Sequence, residues 1–430
     1  MDDFEAIDFF RGDELVADPY PYYESLRALC PVAREPHHGV VMVTGYDESV
    51  EVLSDTERFS SCIATTGPFP GFPVALEGDD VTSLIEAHRD ELPMSDQLPS
   101  LDPPVHTQHR ALLMRLITPK RLKENEAVMW QLADRLLDPL LARGEGDFIA
   151  EFAGPFSLLV IADLLGVPEQ DQQEFVKGLM RRPRSRAGIG MTGEETLAHH
   201  PLQFLYDRFT TYIEERRREP RPDVLGGLAA ATFPDGSLPD VVDVVRVAAN
   251  VFSAGQETTV RLLSSALMAL GEQPELQQLL RRERDRIPNF IEETLRIESP
   301  IKGDFRLSRV PVTVGGVEVP AGSTFMLLNG AANRDPRHFD DPATFDVARS
   351  NARHHIAFGR GVHTCPGAPL ARAEARACIE RLLDRTTDIR LAESVHGPEG
   401  ARRYQYLPTF ILRGVGELHL EFTAAPDRVS

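Results

Sequence analysis

Residues 240–271 read DVVDVVRVAANVFSAGQETTVRLLSSALMALG. The run is apolar on nearly every face. It predicts a helix of roughly thirty residues, about 45 Å at 1.5 Å per residue, passing through the protein interior. Chains beyond about 250–300 residues usually split into domains, yet no Gly-, Ser- or Pro-rich linker divides this chain of 430 residues. The expectation is a single unit over residues 1–430 wrapped around the helix, and a large internal cofactor would account for its size. In mid-span stands Ala254-Gly255-Gln256-Glu257-Thr258-Thr259. An acid is out of place there. A threonine inside a helix bonds the carbonyl four residues back, here that of Ala254, and such back-bonding bends helices.

The rest of the pattern is mainly α with small β-sheets. Most of 105–297 reads as helix, as in RALLMRLI (110–117), AVMWQLADRLLDPLL (127–141) and PLQFLYDRFTTYIEERRR (201–218). Strand signals are few: GVVMVTGY (39–46), the run from 310–319 to 323–329 with Gly315-Gly316 and Pro320-Ala321-Gly322 as turns, and GELHLEF (416–422). Residues 60–101 form the longest irregular-looking stretch, rich in Pro and Gly but carrying Phe69, Phe72, Val74, Leu76, Leu92, Met94 and Leu98. An apolar loop of that length is usually functional.

The net charge of −20 repels nucleic acid and anionic lipid, so neither is an expected partner. The N-terminus MDDFEAIDFFRGDEL has no basic region before an apolar run, which argues against a signal peptide or anchor. No stretch of about 18 apolar residues predicts a membrane span. Cys30, Cys62, Cys365 and Cys378 are scattered, which favours reduced thiols and a cytoplasmic location.

Residues 354–367 read HHIAFGRGVHTCPG. Four readings of Cys365 compete. A small buried hydrophobe is the common fate of a lone cysteine, but leaves Gly359, Gly361 and Gly367 unexplained. Zinc held by His354, His355, His363 and Cys365 lacks the second ligand pair of structural sites. A reactive nucleophile wants a nearby base and a helix N-terminus, and stays open. An axial thiolate on haem iron explains the glycines, because a flat macrocycle lies against backbone. Amide N–H groups and the N-terminal end of a following helix, from about Pro369, would then stabilise the sulfur.

The stretch Phe358-Gly359-x-Gly361-x-His363-x-Cys365-x-Gly367, continued by Leu370-Ala371-Arg372, resembles the haem-binding signature of the cytochrome P450 family. Three further segments share the resemblance. Glu293-Thr294-Leu295-Arg296 matches the family's Glu-x-x-Arg; its i, i+3 spacing puts both side chains on one helix face. With Arg349 these two would form a structural triad. Ala254–Thr259 matches the oxygen-binding segment of the central helix (240–271). DPPVHTQHRALLMRLITPKRL (102–122) matches the Asp-Pro-Pro-x-His-Thr-x-x-Arg segment. The matched segments run in order from about 102 to 422; the N-terminal region matches more loosely.

The resemblance implies a cytochrome P450 fold, with the central helix crossing over haem b and residues 354–385 forming the thiolate loop and following helix. Cys365 would be the axial iron ligand. His106, Arg110, Arg306 and His363 would meet the two propionates, and Phe358, Gly359, Ala254 and Gly255 would adjoin the ring. Thr258 and Glu257 would supply the two protons that cleavage of dioxygen needs. One oxygen atom would enter a compact hydrophobic substrate, terpenoid- or steroid-like. Substrate contacts would come from Phe69, Phe72, Met94, Val251, Ala254, Ile301, Gly303, Thr409 and Phe410, with 60–101 as a lid. Electrons would come from NAD(P)H only indirectly, through a ferredoxin and its reductase. The ferredoxin would dock on the cysteine side of a monomeric protein, at Arg115, Lys120, Arg121, Lys123, Arg360, Arg372 and Arg376. The alternatives are a peroxygenase using hydrogen peroxide and a non-catalytic haem ligand-binding protein; the Glu257-Thr258 pair argues against both.

Overall fold

In the computed structural model of the chain, which describes residues 6–180 and 202–426, the apolar run forms one continuous helix, Val241–Glu272. Residues 244–252 and 259–271 are mostly buried, but positions 253–258 are open or half-open. Ala254 is exposed in the middle of an otherwise buried rod, so a cavity lies against it. Thr258 bonds back to Ala254 as expected, Oγ1 to carbonyl at 2.8 Å, without interrupting the helix.

Helices Gly154–Leu165 and Gln203–Arg218 pack against this rod. At Gly255 the rod meets Gly154–Leu165 tightly, since a Cβ there would stand 2.6 Å from Ile161 Cδ1. Gly255 therefore sets helix–helix packing as well as lining the cavity. Ala368–Arg385 packs on Pro119–Arg143 and on Ile287–Glu298, and these three close the core on the cysteine side. Among the described residues no helix is long and apolar enough to cross a membrane.

A five-stranded sheet flanks the helices in the order Val32–Arg34, Val41–Val43, Thr324–Leu327, Asp304–Ser308, Phe59–Ser60. Arg306 sits in its fourth strand opposite Phe325. The edge strand pairs Ser60 with Leu307 and delivers Ser61 to the site. Val312–Val314 and Val317–Val319 form a hairpin whose Gly315-Gly316 turn has φ of 56° and 80°, as a two-residue hairpin turn demands. A third sheet joins Glu145–Asp147, His419–Ala424 and Thr386–Leu391. The strands Asp304–Ser308 and Thr386–Leu391 go beyond the sequence expectations, since their charged residues break the alternation.

Residues 60–101 are less irregular than expected. They hold a helix, Thr82–His88, and short 3₁₀ turns at Arg89–Glu91 and Leu98–Ser100. The apolar residues of the stretch explain this order. Val81, Ile85 and Leu92 are buried with Phe9, Phe10, Phe305 and Phe410, and Phe69, Phe72 and Leu76 pack against that cluster.

Candidate active site

Cys365, Thr258 and the four expected propionate donors all line one cavity of about 270 Å³. The cysteine loop is built by two turns. Gly359 and Gly361 have φ of 67° and 68°, a conformation that side chains disfavour, and a Cβ on Gly361 would stand 2.6 Å from the Leu53 carbonyl. These two glycines thus serve the backbone of the loop itself. The Cys365 N–H donates to the Phe358 carbonyl at 2.8 Å and closes the loop. Burial pushes the Cys365 thiol up. The N–H groups of Gly367 and Ala368, with the charges of Arg110 and Arg372, favour the thiolate. The sulfur also lies at the N-terminal end of helix Ala368–Arg385.

Around the cavity's edge four cationic or ring donors converge. Arg110 Nη2 donates to the Thr364 carbonyl at 2.5 Å. Arg306, 4% exposed, gives one bond to the Phe305 carbonyl at 2.7 Å. The His106 and His363 rings lie 4.1 Å apart. Burial, then the charge of Arg110, lowers His106 to about 4. Burial, then the charge of Arg306, lowers His363 to about 3. Both ring nitrogens of His106 are sealed and unpaired. A buried guanidinium and a half-buried one, beside a ring whose nitrogens lack partners, are a costly arrangement unless anions fill it. The two propionates of haem are such anions, and these residues fit them.

Asp102 is the carboxylate that faces this cluster, and the sequence reading passed over it. It is 7% exposed and accepts from Arg89 and Arg309 at 2.6 and 2.7 Å, from the Ser60 hydroxyl at 2.5 Å and from the Ser61 N–H at 2.8 Å. Ser61 Oγ in turn meets His363 Nε2 at 3.1 Å. Asp102 therefore ties the edge strand and residue 89 to the propionate donors. The only sequence signal was its place at the head of the Asp-Pro-Pro-x-His segment.

On the central helix, Thr258 lines the cavity and Glu257 does not. The Glu257 carboxylate is half-exposed and pairs with Arg261 at 2.5 Å; Arg261 also donates to the Val415 carbonyl at 2.5 Å. Glu293, Arg296 and Arg349 meet as expected. Arg296 makes two bonds of 2.8 Å to Glu293, and Arg349 makes one of 3.0 Å. Arg296 and Arg349 also donate to the carbonyls of Asn333, Pro342 and Thr344 and of Asp340, Asp341 and Thr344 respectively, so the triad pins that segment.

Of the expected substrate contacts, Val251, Ala254 and Ile301 line the cavity. Phe69 and Phe410 do not, because they pack edge-on against Phe10 and each other in the aromatic cluster beside the sheet. Phe72 lines a separate pocket. Met94 and Gly303 are also absent from the wall, and a Cβ on Gly303 would stand 2.8 Å from the Leu327 carbonyl. Thr409 is turned inward, its carbonyl accepting from Lys302. Leu98, Asn250 and Leu262 line the wall instead.

The expected cation patch is also thinner than the sequence implies. Arg372 is bound to buried Glu292 at 2.7 and 2.9 Å. Arg121 caps the carbonyls of Asp163 and Leu164, and Arg376 pairs with Glu126. Arg115 donates to the Thr232 carbonyl at 3.2 Å and Arg360 to that of His354 at 3.1 Å. Lys120 and Lys123 remain exposed. Among the described residues no three His, Cys, Asp or Glu side chains form a metal-binding group, which leaves zinc without a ligand set.

A cysteine loop and a threonine-bearing helix on one apolar cavity, edged by donors for two carboxylates, place the protein in the haem-thiolate class. The family model described as Cytochrome P450 matches residues 203–387. Cytochrome P450 144 of Mycobacterium tuberculosis is 34% identical, over 96% of this chain and 90% of that protein. The 6-deoxyerythronolide B hydroxylase of Saccharopolyspora erythraea is 33% identical over 87% of this chain and 90% of its own length. The substrate-free structure of Mycobacterium marinum cytochrome P450 CYP150A6 superposes with a TM-score of 0.92 at 53% identity, covering 98% of this chain and 100% of that one. The chain belongs to the cytochrome P450 family and is a monooxygenase, an oxidoreductase that uses haem and dioxygen.

Proposed function

We propose that this protein inserts one oxygen atom into a compact hydrophobic molecule of terpenoid or steroid type, within a single domain that carries haem b. The observation that carries this reading is the shared cavity of Cys365 and Thr258, walled by Leu98, Val251, Ala254, Ile301 and Leu262. A structure similar to this chain, CYP109E1 of Bacillus megaterium, was solved with testosterone; it is 28% identical with a TM-score of 0.75, over 94% of this chain and 99% of that one. That likeness supports a polycyclic substrate.

Haem bound through a thiolate supplies the activation of dioxygen, since thiolate ligation favours O–O cleavage. The chain's own residues do the rest. The amides of Gly367 and Ala368 and the charge of Arg110 favour the Cys365 thiolate against the burial that pushes the thiol up. His106, Arg110, Arg306 and His363 would hold the propionates. Thr258, its own proton engaged with Ala254, presents acceptor lone pairs that order water in the cavity. Glu257 exchanges protons with solvent from the outer side of the same turn, and Arg261 holds it there. The apolar wall excludes bulk water and orients the substrate.

Electrons arrive from a ferredoxin and its NAD(P)H-dependent reductase. The ferredoxin docks near Lys120, Lys123, Arg115 and Arg360, with Arg372 and Arg121 reserved for internal partners. The test is spectroscopic. The reduced protein with carbon monoxide shows the red-shifted Soret band of a thiolate complex, and Cys365→Ser abolishes it along with turnover. A panel of terpenoids and steroids then identifies ligands by their Soret shift. A colourless protein, or a Cys365→Ser variant with normal turnover, overturns the proposal.

A further inference from the structure

Besides Thr258, Thr259 and the donors at its edge, the cavity wall carries two polar side chains: Asp304, whose carboxylate accepts from Asn329 Nδ2 at 2.8 Å, and Asn250. Asn250 stands two turns earlier on the central helix, in the cavity-lining stripe with Ala254 and Thr258. It is 9% exposed. Its orientation is set from outside. Asp96 is a carboxylate and can only accept hydrogen bonds. The Gln97 amide nitrogen therefore faces it, donating to Asp96 Oδ1 at 3.2 Å and to the Tyr206 hydroxyl at 2.6 Å. Burial raises the Tyr206 hydroxyl to about 12, so it stays protonated, and it donates to Asp96 Oδ2 at 3.1 Å. Arg246 holds the same oxygen at 3.0 Å. With its nitrogen so engaged, Gln97 turns Oε1 toward Asn250, which donates through Nδ2 at 3.3 Å. Asn250 Oδ1 is left over. It accepts no bond from the described residues and is not among the sealed unpaired atoms, and Asn250 lines the cavity, so Oδ1 is the acceptor this residue has to offer there.

We infer that Asn250 determines specificity by accepting a hydrogen bond from a hydroxyl on an otherwise apolar substrate, and so sets which carbon lies beside Thr258. The two residues are eight apart, about 12 Å along the helix. The preferred substrate is thus a rigid apolar alcohol oxidised at the end remote from its hydroxyl. A ketone or an ether presents lone pairs to the lone pairs of Oδ1 and binds less well, because neither group is then satisfied. The inference rests on the haem-loaded cavity proposed above. Gln97 acts on substrate only through Asn250 and is a positioning residue.

The test uses the ferric haem-loaded protein and three probes on one ring skeleton: 5α-androstan-3β-ol, 5α-androstan-3-one and 3β-methoxy-5α-androstane. Dissociation constants are read from Soret titrations. The alcohol binds about tenfold tighter than the ketone or the ether. Asn250→Leu brings all three within about twofold, through loss of affinity for the alcohol, while the carbon monoxide spectrum is unchanged. Gln97→Leu frees the Asn250 amide to turn over, and the alcohol's advantage shrinks with Asn250 still present. A merely structural loss would weaken all three probes together. Equal constants in the parent protein, failure of all three to bind, or a tenfold preference that survives Asn250→Leu overturns the inference with the haem assignment intact. Absence of the thiolate spectrum overturns the proposed function itself, and this inference with it.

Discussion

Arg372 and Glu292 join the thiolate helix to the helix of the Glu293 triad through two hydrogen bonds, Nε to Oε1 at 2.7 Å and Nη2 to Oε2 at 2.9 Å. The guanidinium also lies 4.7 Å from the centre of the Phe358 ring, on the cavity wall. His355 Nε2 meets Glu292 Oε2 at 3.1 Å. Burial raises the Glu292 carboxyl, but the bonds from Arg372 and His355 outweigh it and hold the group at about 2. The folded value lies below the unfolded one of about 4.3. The stabilisation is therefore present above that value and is lost as pH falls toward 2. Glu292→Gln is expected to cost about 3 kcal/mol at pH 7, since it leaves Arg372 and His355 without their anion. It also flattens the loss of stability between pH 5 and 3. Urea midpoints across that range check both; parallel curves for variant and parent would contradict the assignment.

Thr258→Ala is expected to keep haem, the carbon monoxide spectrum and substrate affinity. NAD(P)H consumption continues, but most of the reducing equivalents leave as hydrogen peroxide, because the acceptor that orders cavity water is gone. Thr258→Ser restores much of the coupling, since the hydroxyl can take the same bond to Ala254. The measurement is product and peroxide formed per NAD(P)H consumed. Unchanged coupling in the alanine variant would remove Thr258 from the proton path.

Arg306 brings a buried charge to a cluster that already holds Arg110 and two histidines, and burial lowers its guanidinium. Its one hydrogen bond is to a neutral carbonyl. Without haem this is a cost, and with haem it would be offset by a propionate contact. Arg306→Met is therefore expected to act with opposite signs on the two forms. The apoprotein gains about 1–4 kcal/mol, as when a buried ion is replaced by an apolar side chain. Haem leaves the holoprotein at least about tenfold faster, for loss of a charge-assisted bond. Melting of the apoprotein and haem transfer to apomyoglobin measure the two effects separately. A destabilised apoprotein would show that Arg306 serves the sheet and not the ring.

The legible parts of this protein are those fixed by local spacing. His106 and Arg110 share a helix face because they are four apart, Glu293 and Arg296 because they are three apart, and the central helix announces itself by thirty apolar-rich positions. Contacts set by tertiary packing were not legible in the same way. Phe69 and Phe410 looked like cavity residues because they are apolar and near the right segments. The N-terminal segment supplies Phe9 and Phe10, and these rings form a competing cluster that draws both away. Arg372 and Arg121 looked like free surface cations, and only the fold shows that Glu292 and the end of Gly154–Leu165 claim them. Asn250 carried no local signal, since its meaning depends on Gln97, Asp96 and Tyr206, up to 154 positions away in sequence.

Lys302 is a buried cation near Arg413. It is 5% exposed, and its ammonium donates to the Thr409 carbonyl at 2.7 Å, with no carboxylate in the bond. Burial, then the charge of Arg413, lowers it to about 7. The unfolded value is about 10.4. Between the two the unfolded chain binds more protons, so this group makes stability rise with pH across that window. Below pH 7 the lysine is charged in both states and the cost of burying it is felt in full. Lys302→Met keeps most of the volume and removes the charge. The variant is expected to be more stable than the parent by about 1–3 kcal/mol at pH 6–7, a discounted share of the about 1.4 kcal/mol per pH unit that such a shift represents. The advantage narrows toward pH 10. Urea midpoints of the haem-loaded protein at pH 6, 7, 8, 9 and 10 test this. If the methionine variant is the less stable at pH 6, the bond to Thr409 outweighs the desolvation of the ammonium, and Lys302 is a brace for the Thr409 turn.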